Sequence, residues 1–284
     1  MQKLDQWPLT DRRGITGVLT DIDDTLTTDG AITADALAAL ADLKAAGLPV
    51  IAVTGRPVGW SEPFALAWPL DAIVAENGAV ALFRKADTEI ATSEHQNGLQ
   101  PNDYVRKQLS KRYQQSAPER HENFTRMQRV SARVLQGVHG AQLAQDSTGR
   151  ETDIAIDHSE FTNLTPEQIA EVLRIMRSEG MTASVSSIHV NGWFGTHNKL
   201  QGARWAVSEL LGRDLDAEIS QWVFIGDSTN DELMFEAFPN SVGVANVRRF
   251  EAQLINKPRY ITGEERGAGF AELVQALLAA KKNN

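Results

Sequence analysis

The stretch TDIDDTLT, residues 20–27, places three carboxylates within four positions, directly after the apolar run at residues 15–19. A short apolar run bounded by polar residues predicts a buried strand. Carboxylates this close together repel one another, and burying an unpaired carboxylate is unfavourable. Three interpretations follow from these residues alone: a cation compensates the charges, the strand assignment is wrong, or the carboxylates lie in a solvated turn.

Composition predicts a soluble globular protein with one large or two medium domains. The chain has 284 residues, of which 42% are hydrophobic and 23% charged, and its formal net charge is −9. This charge and the lack of a basic run argue against nucleic-acid and anionic-membrane partners. Cysteine is absent, which excludes disulfides and thiolate metal sites. Because no signal-peptide pattern and no apolar run of ~20 residues occur, we expect a cytoplasmic protein; the sequence does not indicate its oligomeric state.

Strands and helices alternate at both ends of the chain. The runs GITGVLT, LPVIAVTG and DAIVAENG predict strands, and an amphipathic helix is predicted at residues 33–47, between the first two. Near the C-terminus, QWVFIGD, NSVGVAN and RYIT predict further strands, with helices at residues 230–238 and 269–282. Continuous apolar strands alternating with helices are typical of a doubly wound parallel sheet. We therefore predict an α/β fold with a Rossmann-like core.

A segment of different character separates the two halves of this core. We predict core at residues 1–83 and 195–284, and an inserted α+β cap domain at 84–194. Within the insertion, the polar stretches NGLQPND and KRYQQSAPERHEN predict loops or an exposed helix, and TDIAID predicts a strand. Thr165 and Gln168 form a capping-box pattern for a helix that ends at Gly180, and TASVSSIHVN predicts one following strand.

Polar residues follow every predicted core strand at its carboxyl end. In open parallel sheets these ends border the ligand-binding crevice. Oxygen ligands from two acidic clusters favour Mg²⁺. Beside such an ion, one carboxylate can attack phosphorus and a second can transfer protons, while a hydroxyl and a lysine hold the phosphate. The residues concerned are 20–25, Thr54-Gly55-Arg56, Glu76-Asn77-Gly78, and Gly226-Asp227 with Asp231.

Four ordered motifs resemble those of the haloacid dehalogenase superfamily of phosphatases. They are Asp21-x-Asp23-x-Thr25, the strand-end Thr54, Lys199 at a predicted helix start, and Gly226-Asp227-x-x-x-Asp231. The resemblance implies that Asp21 is the nucleophile and Asp23 the acid/base, with Thr54 and Lys199 on the phosphate. It also implies Mg²⁺ on Asp21, Asp23 through its backbone carbonyl, Asp227 and, in or near the shell, Asp231. The position of the insertion resembles the type IIB cap of Cof-like, sucrose-phosphate and mannosyl-phosphoglycerate phosphatases.

We therefore predict a Mg²⁺-dependent phosphatase acting through an aspartyl phosphate on a sugar phosphate or similar small phosphate ester. A phosphomutase and a non-enzymatic receiver-like phosphoacceptor module remain alternatives. Asp24 stands where many relatives have Gly, and we expect it to face away or cap the next turn. Arg56 either reaches phosphate or pairs with an acid, and Asn77 either contacts substrate or shapes a tight turn. His158 and Glu160 are expected in a surface loop. The candidate substrate-binding residues are Gly55, Arg56, Asn77, Ser187, His189, Asn191 and Asn230.

Overall fold

The structure, a computed structural model, describes residues 1–85 and 108–282. Within this part of the chain, nine strands form one sheet in the order β1-β15-β14-β13-β2-β5-β6-β7-β8. The first seven strands in this order are parallel, and β7 and β8 extend the sheet antiparallel. These strands are β1 (Gln2–Lys3), β2 (Gly17–Thr20), β5 (Val50–Val53), β6 (Ala72–Ala75), β7 (Val80–Arg84), β8 (Leu109–Tyr113), β13 (Trp222–Gly226), β14 (Ser241–Gly243) and β15 (Tyr260–Ile261).

Helices cover both faces of this sheet, as the continuous apolar strands predict. Successive residues of one strand enter different apolar clusters: Val18 packs into one and Leu19 into the other. The predicted helix at 33–47 is confirmed as Ala34–Ala45, followed by Gly47 in a left-handed conformation (φ +71°). The doubly wound core is therefore confirmed. Its helices are Leu9–Arg13, Ala34–Ala45, Val58–Ala67, Lys199–Leu211, Glu232–Ala237 and Arg266–Lys282, and a small hairpin joins β3 (Thr27–Thr28) to β4 (Ala31–Ile32).

The inserted α+β module is a second layer with its own apolar core, and we call it the cap. Its antiparallel sheet has the order β11-β12-β10-β9 and, in the described part of the insertion, carries two helices on one side. The capping box is confirmed: the Thr165 hydroxyl accepts from the Gln168 amide and the Gln168 side chain accepts from the Thr165 amide. The cap elements are helices Ala117–Gly137 and Pro166–Ser178 and strands β9 (Gln142–Leu143), β10 (Ile154–Asp157), β11 (Thr182–Val185) and β12 (His189–Trp193).

Two predicted features of the insertion differ in the structure. Strand β8 pairs with β7 in the core sheet, although it lies within the segment 84–194 predicted as cap; among the described residues, the first cap element after it is the helix that begins at Ala117. The predicted single strand TASVSSIHVN is instead the hairpin β11–β12, because the Ser186 hydroxyl accepts hydrogen bonds from the amides of Ile188 and His189 and turns the chain. Ser187 therefore lies in a turn. KRYQQSAPERHEN divides between β8 and an exposed helix, and NGLQPND lies outside the described residues.

Candidate active site

Three buried aspartates meet at the carboxyl edge of the core sheet. Asp21 follows β2, Asp227 follows β13, and Asp231 lies in the next turn. Because β2 and β13 are adjacent parallel strands, their ends bring these residues together. One carboxylate oxygen from each residue lies within 4.8 Å of the other two. Among the three interpretations of TDIDDTLT, the structure excludes a solvated turn for Asp21, which is 4% exposed.

Lys199 supplies a positive charge inside this triad. Its Nζ lies 2.6 Å from Asp21 Oδ1 and 2.7 Å from Asp231 Oδ1, and its side chain is 2% exposed. The helix that begins at Lys199 packs against the turn after β6, where Gly78 and Gly202 leave room for the two backbones to touch. A Cβ on Gly78 would collide with the Asn198 carbonyl oxygen, and one on Gly202 would collide with Gly78. This backbone contact fixes where the ammonium lies.

The charges of the triad fit a divalent cation. Three carboxylates and one ammonium leave a formal charge of −2 in a buried site. Burial raises the pKa of Asp21 to about 8, although the Lys199 ammonium acts in the opposite direction. Burial, followed by the Asp21 and Asp231 charges, raises the pKa of Asp227 well above its usual value. Asp227 Oδ1 is buried and has no hydrogen-bond partner. A buried oxygen needs a partner. The carboxylate oxygens of the triad are ligands of the type that Mg²⁺ prefers.

Asp23 lies two residues after Asp21 and is held by an arginine. Arg56 Nε donates to both carboxylate oxygens of Asp23, at 2.9 and 3.0 Å. The other guanidinium nitrogens contact cap carboxylates: Nη1 lies 3.3 Å from Asp146 and Nη2 lies 3.0 Å from Glu160. Two roles were predicted for Arg56, and in the structure it pairs with acidic side chains. Asp24 pairs with Arg266 at 3.1 Å.

The loop after β5 provides hydroxyl and backbone groups. Thr54 is fully buried, and its hydroxyl accepts a hydrogen bond from the Arg56 amide at 3.0 Å, which leaves the hydroxyl hydrogen free to donate. The Gly55 carbonyl accepts from Arg150 Nη1 at 3.0 Å and is therefore bound to the cap. Asn77 has φ +56° in the tight turn after β6, and its side chain donates to Asp153 of the cap at 3.3 Å.

The cap strand β12 and its turn lie over the aspartates. His189 and Asn191 are buried there: His189 Nε2 lies 2.8 Å from Glu160 Oε2, and Asn191 donates to Asp153 at 2.9 Å. These two residues and Ser187 line one small cavity of about 10 Å³, together with Asp21, Asp23, Gly55, Arg56 and Asn230. The structure thus brings every predicted substrate-binding residue except Asn77 to the wall of this cavity.

A larger cavity of about 480 Å³ adjoins the small one. Asp23, Arg56, Ser187 and Ile188 line both cavities. The larger one is open to solvent and extends past Glu160 and Phe161 of the cap to Arg249 and Arg266 of the core. A phosphate held near Asp21 would therefore direct the rest of its ester into the larger cavity.

The sequence model of the haloacid dehalogenase-like hydrolase family matches residues 18–273 of this chain. The chain belongs to this family. The match spans the core and the cap together, which confirms the predicted resemblance and the predicted enzyme class. No curated protein sequence matches the chain at a significant level.

Solved structures show the same fold at low sequence identity. A Thermoplasma acidophilum protein superposes with a TM-score of 0.63 at 16% identity, covering 93% of this hydrolase and 98% of that chain. A sucrose-phosphatase from Synechocystis, solved with sucrose and phosphate, gives 0.58 at 15% identity, covering 93% and 98%. A trehalose-6-phosphate phosphatase related protein gives 0.57 at 15% identity, covering 94% and 100%. The cap is thus part of the shared architecture.

Four site residues of this hydrolase escape prediction from sequence. Glu160 was expected at the surface, yet its carboxylate bridges Arg56 and His189. The contact between cap and core also includes Asp146, Arg150 and Asp153. Their local sequences have the charged composition of ordinary solvated loops, so no pattern marks them.

No helix in the described residues is long and apolar enough to cross a membrane.

Glu76 anchors the cap loop on the core. It is fully buried, and its carboxylate accepts hydrogen bonds from the amides of Val58 (3.0 Å), Glu151 (2.9 Å) and Thr152 (2.5 Å) and from the Thr152 hydroxyl. Burial, followed by the Asp153 charge, raises the pKa of Glu76 to about 7, while the bonds from Thr152 act in the opposite direction. The folded protein therefore binds this proton more tightly than the unfolded chain between about pH 4.5 and 7, and this contribution to stability falls as pH rises.

We expect Glu76→Gln to lower the free energy of unfolding by about 2–4 kcal/mol, because the glutamine NH₂ group faces donors and leaves at least one of them unpaired. Urea unfolding monitored by tryptophan fluorescence measures this loss. The stability of the variant should also vary less between pH 5 and 7 than that of the wild type. Glu122→Gln, on the exposed face of the helix Ala117–Gly137, is the control and should leave stability unchanged. An unchanged Glu76→Gln midpoint would show that the carboxylate does not anchor the cap.

Proposed function

We propose that this hydrolase is a Mg²⁺-dependent phosphomonoesterase that acts through an aspartyl phosphate on Asp21, with a sugar phosphate or a similar small polyol phosphate as substrate. The observation that carries the proposal is the buried triad of Asp21, Asp227 and Asp231 with Lys199 inside it, beneath a closed cap. Asp21, Asp227 and the Asp23 carbonyl would hold the ion, with Asp231 beside them. When bound, Mg²⁺ supplies charge that offsets repulsion between the carboxylates and the phosphate oxygens.

In the first step an Asp21 carboxylate oxygen forms a bond to phosphorus and the ester P–O bond breaks. The departing alkoxide takes its proton from Asp23, two residues along the same loop. Thr54 and Lys199 hold the phosphate oxygens as their charge redistributes. In the second step water attacks phosphorus, Asp23 accepts the water proton, and the bond to Asp21 breaks to release inorganic phosphate.

The larger cavity supports a neutral, hydroxyl-rich leaving group. Three arginines line it, and each is already paired with carboxylates: Arg56 with Asp23 and cap acids, Arg249 with Glu265, and Arg266 with Asp24 and Asp29. Paired cations offer little attraction to a second anionic group. Polar donors and acceptors in the lining instead suit hydroxyl groups, which supports a sugar or polyol.

Release of inorganic phosphate from a panel of monoesters, with Mg²⁺ and with excess chelator, tests this function. We expect turnover of sugar monophosphates with Mg²⁺, and loss of turnover with chelator that is restored by added Mg²⁺. Sugar phosphates that remain inert while nucleotides or phosphoproteins react would overturn the substrate class. Conversion of a hexose 1-phosphate to an isomer with little free phosphate would point to a phosphomutase instead.

Asp227→Asn tests the assignment of the ion site. We expect the Mg²⁺ concentration that gives half-maximal activity to rise at least about tenfold, since loss of even an outer partner of a metal ligand costs 10–100-fold in affinity. Asp216→Asn, at an exposed carboxylate, is the control. An unchanged Mg²⁺ dependence in Asp227→Asn would place the ion elsewhere.

A further inference from the structure

A chain of three polar contacts runs from the cap sheet to Asp23. His189 Nε2 lies 2.8 Å from Glu160 Oε2, Glu160 Oε1 lies 3.0 Å from Arg56 Nη2, and Arg56 Nε lies 2.9 Å from Asp23 Oδ1. Arg56 is 5% exposed and also packs over the Trp60 ring, with 5.0 Å from the guanidinium carbon to the ring centroid. The guanidinium is therefore held on several sides. Among the described residues, its ion pairs with the cap are those to Glu160 and Asp146.

The loop that carries Glu160 is held in shape by a buried side chain. Asp157, at the end of β10, is 2% exposed, and its carboxylate accepts hydrogen bonds from three successive amides. These are the amides of Ser159 at 3.0 Å, Glu160 at 2.9 Å and Phe161 at 2.9 Å. This arrangement fixes the backbone of Glu160 and directs its side chain toward the core. All of these hydrogen bonds lie within the cap, so they hold the Glu160 backbone without any contribution from the core.

The ionised form of Glu160 is strongly favoured in this position. Partial burial opposes the charge, but the hydrogen bond with His189 and the Arg56 charge outweigh it and lower the pKa of Glu160 to about 2. The geometry therefore favours a negative charge on Glu160 opposite the Arg56 guanidinium. It also lines the larger cavity, next to Ser187 and Ile188.

We propose that Glu160 is a positioning residue that orients Asp23, through Arg56, for proton transfer to the leaving group when the cap lies on the core. This inference rests on the acid/base role of Asp23 in the proposed function. A planar guanidinium with its other nitrogens fixed by the cap can hold the Asp23 carboxyl group in one orientation. In the protonated form of Asp23, one oxygen accepts from Arg56 Nε and the other carries the proton that passes to the departing alkoxide. Without Glu160, the guanidinium keeps one cap anchor, Asp146 at 3.3 Å, and can rotate together with Asp23. Cap closure thereby completes the proton donor.

The dependence of kcat/KM on the leaving group distinguishes a positioning role of Glu160 from a general contribution to the structure of the cap. An alkyl phosphate expels an alkoxide that needs a proton, whereas p-nitrophenyl phosphate expels a stable phenolate that does not. The ratio kcat/KM reports steps up to phosphoryl transfer and so isolates the donor role of Asp23. We expect Glu160→Gln to lower kcat/KM for a sugar phosphate at least about tenfold, a fraction of the 10²–10⁴ that general acid catalysis supplies. For p-nitrophenyl phosphate we expect a change of less than about twofold.

Two further variants complete the test. Arg56→Lys, which keeps a charge but not the planar fork, should give the same selective loss. Glu171→Gln replaces another cap glutamate that pairs with an arginine, Arg174, but on the exposed side, and should affect neither substrate. Equal losses of kcat/KM for both substrates in Glu160→Gln would show that Glu160 contributes only to the structure of the cap. No loss for either substrate would show that Glu160 has no part in the reaction. Either result overturns the proposal. If the wild type releases phosphate from neither ester, the proposed function fails first.

Discussion

Asp21→Asn is expected to reduce phosphate release from every substrate on the order of 10⁴-fold or more, the scale on which loss of a nucleophile acts in other hydrolases. The amide nitrogen and oxygen of asparagine are poor nucleophiles, so no covalent intermediate forms. The variant should remain folded, because Lys199 keeps its contact with Asp231 at 2.7 Å and one buried carboxylate is removed. Phosphate release under Mg²⁺ saturation measures the loss, and thermal unfolding verifies the fold.

Asp42→Asn is the matched control for this prediction. Asp42 lies on the exposed side of the helix Ala34–Ala45 and has no contact with the site, so its replacement should change neither activity nor stability. Trapping of radiolabelled phosphate on the wild type, and not on Asp21→Asn, would add direct support for an aspartyl phosphate. Turnover that survives in Asp21→Asn would remove Asp21 as the nucleophile and with it the proposed mechanism.

Lys199→Met is expected to impair both activity and stability. Removal of the ammonium leaves Asp21, Asp227 and Asp231 facing one another without compensation, and breaking a buried ion pair costs about 3–5 kcal/mol. Phosphate release should fall at least about 10²-fold, since a preorganised donor to the phosphate is lost. In chelator, the loss of stability should be larger at pH 8 than at pH 5, because the carboxylates of the variant take up protons at the lower pH.

Urea unfolding of Lys199→Met with and without Mg²⁺ measures how far the ion substitutes for the ammonium. We expect Mg²⁺ to recover part of the stability and little of the activity. Lys44→Met, at an exposed position of the helix Ala34–Ala45, controls for the loss of a lysine as such. Full stability of Lys199→Met in chelator would mean that the carboxylates are already neutral in the folded protein.

The centre of the site could be predicted because it depends on a rule of sheet geometry. The carboxyl ends of parallel strands share one edge, so polar residues after β2, β5 and β13 had to meet there. Asp21, Thr54 and Asp227 follow those three strands directly. The lysine could be predicted only through its motif, since no local pattern indicates which helix start lies at the triad.

The cap side of the site could not be predicted in the same way. Arg56 and Glu160 are 104 residues apart, and their contact depends on how one module lies on the other. The hairpin at Ser186 was missed because its turn contains neither glycine nor proline, and the polar–apolar alternation resumes after the single interruption at Ser186-Ser187. Strand β8 was missed because the sequence LSKRY of an edge strand is largely polar. For Glu160 and for β8, a contact distant in sequence overrides the local signal.

The close approach of Gly78 and Gly202 affects how the protein can tolerate mutation. Because backbone meets backbone there, the depth at which the helix bearing Lys199 sits does not depend on the volume of any side chain at this contact. A side chain at either glycine would push this helix away from the turn after β6 and displace the ammonium from its place beside Asp21. These two positions therefore tolerate no residue larger than glycine, whichever apolar side chains fill the clusters around them.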